Sequence, residues 1–400
     1  MPAVRTVLVS GAGIAGPTLA HWLHHHGIDA TVVEKAPVPR NGGYAIDLRG
    51  VALDVAERTG VLDQIRAAST QMHRGTLLGR DGNSTLRFTP SLGSSHGRST
   101  EILRGDLVHL LHTATTAHTE YLYDDSIVDI AQEPDRVRVT FQRSRPREFD
   151  LVVGADGLHS HTRELAFGPE GPLRHDLGGH LSIFTAPDHL GLDREVLLYN
   201  TPGKLIGMYQ TPRADGVKVI LGLHSSAEDT IDREPVAQQR AFLKERFVDN
   251  GWETDTLLEA MDHASDFYFD SMTQIRMEDW STGRVTLLGD AGHCASPLSG
   301  QGTSLAMVGA YVLAQELARH ERVTPALQAY RVRMLPYVRA NQAIAHTGLK
   351  FLAPRTQLGI TARNVLVKYA APISALNVFD TKLMKAAEAI DLDLPTPIRP

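Results

Sequence analysis

The stretch VLVSGAGIAGPTLAHWL, Val7 to Leu23, restricts what this chain can fold into more than any other. Residues 4–10 are rich in β-branched types and read as a buried strand. Residues 14–26 then carry Ile14, Leu19, Trp22 and Leu23 at helical spacing, and Pro17 is tolerated because it falls in the first turn. Gly27 stops that helix, and residues 30–34 form a second strand. Strand, glycine turn, helix and strand make the parallel βαβ unit of a doubly wound sheet.

Three glycines at such a junction have two explanations: steric economy in a tight turn, or close approach of an anion to bare main chain. In Gly11-x-Gly13-x-x-Gly16, Gly11 suits the turn, Gly13 removes the Cβ that would block a pyrophosphate, and Gly16 lets helix and sheet pack closely. Ala15 sits at the helix N-terminus, where unpaired N–H groups and the dipole favour phosphate. Glu34 ends the next strand about twenty residues on, where a carboxylate accepts from both ribose hydroxyls and repels a 2′-phosphate. That context favours the adenosine diphosphate half of FAD or NAD over a purely structural turn.

The strand-then-glycine grammar returns twice. Residues 149–154 lead into Gly154-Ala-Asp156-Gly157-Leu-His-Ser160-His-Thr-Arg163, which alone would be a turn with an N-capping serine. Residues 285–289 lead into Gly289-Asp290-Ala-Gly-His-Cys-Ala-Ser-Pro297-Leu-Ser-Gly300-Gln-Gly302-Thr303, followed by a long apolar helix over 302–320. Asp290 suits a ribose or ribityl hydroxyl, and the Gly300–Thr303 turn would aim amides at a flavin edge that gains negative charge on reduction.

Elsewhere the pattern is a helix over 51–69, another over 104–118, short β segments over 121–141, and sheet over 180–223 with a turn at Ala214-Asp215-Gly216. Helices follow over 238–247 and 254–263, then an extended run over 266–275 and a largely helical remainder from Thr324. One nucleotide-binding unit assembled from separated segments, with a second domain threaded through it, accounts for this order. The expected segments are 1–75, 101–175 and 279–345 for the nucleotide-binding unit, 76–100 and 176–278 for the sheet-rich insert, and 346–400 for a helical tail.

Composition narrows the partners. A formal net charge of -6 argues against nucleic acid, which needs a basic surface. The single cysteine, Cys294, excludes an intramolecular disulfide and a cysteine-rich zinc site, and fits a reducing cytoplasm. No leader pattern and no apolar run of membrane-spanning length is apparent, so no membrane is expected. His24-His25-His26 point in three directions on a helix and read as a solvated face, so no metal is expected.

GAGIAG with Glu34, GADGLHSHTR, and GDAGHCASPLSGQGTSLAM together resemble the FAD-dependent aromatic hydroxylase family typified by para-hydroxybenzoate hydroxylase. The resemblance spans residues up to about His346, and GGYAIDLRGVALDVAERTGVL most resembles the branch of tetracycline-inactivating monooxygenases. It implies an α/β fold: a Rossmann-like FAD-binding domain of the glutathione-reductase type, an inserted sheet-rich substrate domain and C-terminal helices. By the same resemblance Glu34 binds the adenosine ribose, Asp47 and Arg104 contact the flavin or its phosphates, and Asp290 contacts the ribityl or pyrophosphate region. Asp156 and Gly157 sit near the pyrophosphates and the nicotinamide donor, and Arg40 helps NADPH dock. Pro297, Gly300, Gly302 and Thr303 complete the cofactor set; Thr303-Ser304 stand where many members have Asn.

The implied activity is a single-component monooxygenase. NADPH or NADH reduces non-covalently bound FAD, O2 adds, and a flavin hydroperoxide delivers one oxygen atom to an aromatic or polyketide-like small molecule. A reductase, an oxidase or a non-redox flavoprotein would share the FAD motifs; no Trp-x-Trp-x-Ile-Pro segment supports a halogenase. Topology alone puts substrate contacts at Met208, Tyr209, Gln210 and His224, although Tyr209 and Gln210 serve equally well as packing residues. No side chain is required as a nucleophile.

Overall fold

A computed structural model describes residues 4–39, 43–88, 98–212, 216–226, 231–370 and 375–393. The opening strand Thr6–Ser10 pairs in parallel with Asp29–Glu34 on one side and with Leu151–Gly154 on the other. Leu151–Gly154 in turn pairs with Val285–Leu287, and Asp29–Glu34 with Glu120–Tyr123. The three strands that precede glycine-rich loops in the sequence are therefore immediate neighbours at the centre of a six-stranded sheet.

Strand parity explains why these short runs are apolar throughout. Val7, Val9, Val32, Leu151 and Val153 pack toward the helices Ala15–His25 and Gly302–Arg319. Leu8, Val33 and Val152 point the other way, against a three-stranded antiparallel sheet that carries Val137, Val139, Phe141 and Phe149. A parallel strand covered on both faces has no solvated side to keep polar.

The second body is a seven-stranded sheet in the order Tyr268–Ile275, Arg174–Ala186, Val217–His224, Lys204–Tyr209, Glu195–Thr201, Arg74–Leu78 and Ser84–Phe88. Helices Val236–Phe247 and Thr254–His263 cover one face through Phe184, Ile206, Met208, Val219 and Leu221. The opposite face turns Leu181, Ile183 and Ile220 toward the nucleotide-binding sheet. Between the two bodies lies a small antiparallel ribbon, Ala45–Arg49 with Ser99–Leu103.

Several boundaries differ from the sequence reading. The helix expected over 51–69 is two helices, Val51–Arg58 and Leu62–Ala67, because Gly60 between them adopts φ +79°. The run 149–154 divides between Arg147–Phe149 and Leu151–Gly154, which belong to different sheets. The helix from Arg104 ends at Thr113 rather than 118. The expected turn residues Ala214 and Asp215 lie outside the described residues. No described helix is long and apolar enough to cross a membrane.

Candidate cofactor and active site

The three loops converge because the strands that launch them are adjacent and parallel, so all three emerge at the same edge. In the first loop the glycines divide their work. Gly11 adopts φ +110°, and a Cβ there would lie 2.6 Å from Ala155 O. A Cβ on Gly16 would lie 2.0 Å from Gly11 O, so helix and turn touch backbone to backbone. Gly13 is different: an added Cβ would meet only Arg104 Nη2, at 3.6 Å, and the space beyond it is open cleft. Glu34 borders the cleft and accepts from Ala12 N at Oε2 and Ala36 N at Oε1, both at 2.9 Å, which leaves each oxygen with further acceptor capacity.

In the second loop Ser160 caps its helix, accepting from Arg163 N at 2.9 Å. The Asp156 carboxylate accepts from Ser160 Oγ at 2.5 Å and from Thr162 N and Oγ1 at 2.9 Å, so it braces the loop while bordering the cleft beside Gly157. Arg163, 1% exposed, donates to Leu158 O and Ala291 O at 2.8 Å and to Glu170 Oε2 at 2.5 Å. It ties the second loop to the third, a role the helical context of the motif gave no reason to suspect.

In the third loop Asp290, Pro297, Gly300, Gly302 and Thr303 all border the cleft, as does Ala15 from the first helix. Burial raises the Asp290 carboxyl above its usual range, with Arg104 and a hydrogen bond with Cys294 opposing the shift. Gln301 provides no side-chain cap for the helix Gly302–Arg319, and Gly302 and Thr303 border the cleft at the positive end of this 18-residue dipole. Arg104 begins its own helix, is held by Arg104 N on Tyr44 O at 2.9 Å, and reaches the Gly13 cradle.

These residues enclose one cavity of about 560 Å³ that continues from Glu34 and Gly13 past Asp47, Arg104 and Asp290 to Tyr44, Leu181, Ile183, Ile220 and Tyr268. The polar end suits an adenosine diphosphate and the far end is apolar. Tyr44 and Tyr268 stand 5.8 Å apart between ring centroids, and Tyr268 donates to Asp270 Oδ2 at 3.1 Å. The residues present therefore fit FAD: an open cradle at Gly13, an acid for ribose, an uncapped helix N-terminus and a guanidinium between them.

The proposed substrate contacts need correction. Met208 is fully buried on the opposite face, among the residues beneath the two covering helices. Tyr209 shares the cleft side of its strand, but its hydroxyl is taken by Ala45 N at 2.8 Å, and it is 5% exposed. Gln210 lies past the strand end, its Oε1 facing Arg194 N at 3.5 Å. His224, at the far end of its strand, bonds Ala353 O at 2.9 Å. None of the four borders the cavity; Leu181, Ile183, Ile220 and Tyr268 do. Period-two parity along the strands picks these out only when the register between strands is known. Arg40 lies outside the described residues.

Among the described residues His159, Asp232 and Asp270 bring donor atoms within 4.8 Å of one another. Arg174 faces Asp232 Oδ2 at 2.8 Å, and hydrogen bonds to Asp270 and Glu170 raise the His159 pKa to about 9, so side-chain cations already balance the acids.

A diphosphate cradle, two further glycine loops at the same sheet edge and an apolar wall from a second sheet define a dinucleotide-binding oxidoreductase. The chain belongs to the FAD-binding-domain family, whose model matches residues 5–344. A flavin-dependent monooxygenase from an unknown prokaryotic organism is 42% identical over 346 residues, covering 86% of this chain and 89% of that one. A flavin-dependent monooxygenase of Legionella longbeachae is 38% identical over 340 residues, covering 84% and 86%. The crystal structure of the tetracycline destructase Tet(55) superposes with a TM-score of 0.86 at 38% identity, covering 99% of this chain and 100% of that one. FAD is thus the cofactor and monooxygenation the reaction class, as the motifs implied.

Proposed function

We propose that this monooxygenase is reduced by NADPH or NADH and hydroxylates an aromatic or polyketide-like small molecule, a tetracycline-like ring system being the first class to test. The observation that carries this reading is the junction of the diphosphate cradle with an apolar wall in one cavity. Similarity to Tet(55) along the full chain supports the substrate class.

FAD, when bound, supplies the electron transfer and oxygen activation. The chain's own residues hold and shield it. Gly13 and Ala15 admit the diphosphate, Gly11 and Gly16 set the turn and the helix packing that shape its cradle, and Glu34 takes the adenosine ribose. Arg104 neutralises phosphate or the flavin edge, Asp290 orients a ribityl hydroxyl, and the turn at Gly300, Gly302 and Thr303 directs N–H groups at developing negative charge. Asp156 and Gly157 shape the loop over the pyrophosphate, Pro297 closes the turn, and Asp47 contacts the flavin. Arg40 remains the candidate for docking the nicotinamide donor. Leu181, Ile183, Ile220 and Tyr268 form the substrate wall and keep water from the reacting centre. Segments 1–75, 101–175 and 279–345 make the cofactor unit, 76–100 and 176–278 the substrate unit, and 346–400 the tail.

The test is anaerobic and aerobic turnover with a panel of such substrates. Stimulated NADPH oxidation with a product heavier by one oxygen atom is expected. NADPH consumption without oxygen insertion for every substrate would identify a reductase or oxidase instead.

A further inference from the structure

The ribbon between the two bodies carries an acid pair. Its register sets Asp47 directly opposite Glu101. Residues so opposed share a face, with Cβ atoms about 4.5–5.5 Å apart. Asp47 lines the cavity, whereas Glu101 does not. Among the described residues one guanidinium acts on both acids: Arg49, 5% exposed, gives Nη2 to Asp47 Oδ2 at 2.6 Å and Nη1 to Gly300 O at 3.1 Å. Glu101 receives the Thr70 hydroxyl instead, and its backbone carbonyl accepts from Thr70 N at 3.0 Å. Tyr209, whose hydroxyl accepts from Ala45 N, also feels the charge of Glu101.

Two carboxylates side by side with one cation between them cannot both ionise cheaply. Burial raises both carboxyls, but Arg49 is hydrogen-bonded to Asp47 and opposes the rise there most directly, so the proton goes to Glu101. We infer that Glu101 is a positioning residue for the cofactor: by holding the proton of this pair it keeps Asp47 ionised on Arg49, and Arg49 thereby stays fastened to the Gly300 turn. The inference rests on the reading that Asp47 and Gly300 lie at the flavin. In keeping with the geometry, burial first and Asp47 second push the Glu101 carboxyl up to about 7. Ionisation of Glu101 therefore falls within the working range of pH. It adds an uncompensated negative charge beside a site for an anionic cofactor and draws Arg49 away from its turn.

The sign follows from linkage. If FAD binds the protonated form better, its Kd rises with pH above the apoprotein pKa, by at most roughly tenfold per unit. The experiment is fluorescence titration of the apoprotein with FAD from about pH 6 to about pH 8.5. For the wild type a rise of roughly three- to tenfold in Kd centred near neutrality is expected. Glu101→Gln, which mimics the protonated acid, should bind FAD tightly across the range and lack the step. Thr70→Val removes a hydrogen bond that favours the carboxylate and should move the step to higher pH.

His159 and His161 also border the cleft in all three proteins, so the difference between profiles is the readout. A bound flavin with a flat wild-type profile, or the same step in Glu101→Gln, overturns the inference while leaving the cofactor reading intact. Should Glu101→Gln fail to fold, an unmoved step in Thr70→Val overturns it equally. Absence of FAD binding at every pH would instead remove the cofactor reading and this inference together.

Discussion

Replacing Gly13 and Gly16 by alanine, one at a time, separates the two explanations for the opening glycines. A methyl on Gly16 would sit 2.0 Å from Gly11 O and 3.2 Å from Gly11 C, neither of which can move without opening the helix–sheet junction. Overpacking of that kind costs about 1–3 kcal/mol when side chains yield and more when backbone must. Gly16→Ala should therefore lower apoprotein stability by at least about 3 kcal/mol. At Gly13 the added methyl has a single neighbour, Arg104 Nη2 at 3.6 Å, an ordinary contact. Apoprotein stability should stay within about 0.5 kcal/mol of wild type. With a diphosphate against the main chain, the same methyl collides with it, and about 1–3 kcal/mol translates into a roughly 5- to 150-fold rise in the FAD Kd. Urea denaturation of the apoproteins and fluorescence titration with FAD measure the two effects independently. A folded Gly13→Ala variant with unchanged FAD affinity would refute the close approach. Equal destabilisation by both substitutions would reduce the motif to a packing device.

Further outcomes are expected. Asp290→Ala should lose FAD while circular dichroism of the apoprotein stays the same; a fully flavinated variant would remove Asp290 from the cofactor site. Ser160→Ala should cost about 0.5–2 kcal/mol of stability through the lost cap on Arg163 N, read by chemical denaturation. Tyr209→Phe should weaken the fold by leaving Ala45 N without its acceptor, about 1–3 kcal/mol, yet leave substrate KM unchanged, whereas a substrate contact would raise KM. His159 has its pKa raised from 6.5 to about 9 by Asp270 first and Glu170 second. Its stabilisation is then fully present below pH 6.5 and lost as pH rises through about 9. Denaturation midpoints of wild type should fall across that window relative to His159→Gln; parallel profiles would contradict the charge assignment.

Much of the cofactor cleft was legible along the chain because its parts are local. A glycine turn, an N-terminal helix dipole and an acid at the next strand end each depend on residues a few positions apart, and Gly11, Gly13, Gly16 and Glu34 all border or build the cleft. Even the separated loops were readable, since each follows a short apolar strand whose both faces are covered. The substrate wall was not. Met208 and Tyr209 are adjacent in sequence and face opposite layers, and only the pairing of Gly207 with Ile220, and of Ile220 with Ile183, shows which alternate residues look toward the cleft.

The amino-acid order alone thus determined the cofactor class, because short-range sterics and the helix dipole operate within a single strand–turn–helix unit. Tertiary structure decided everything that depends on register between distant segments. Arg163 joins two loops, Arg49 fastens Asp47 to Gly300, and Glu101 acquires its acid neighbour only across the ribbon. The physical reason is that burial and charge pairing set the behaviour of an ionisable side chain, and both are properties of neighbours brought from elsewhere in the chain.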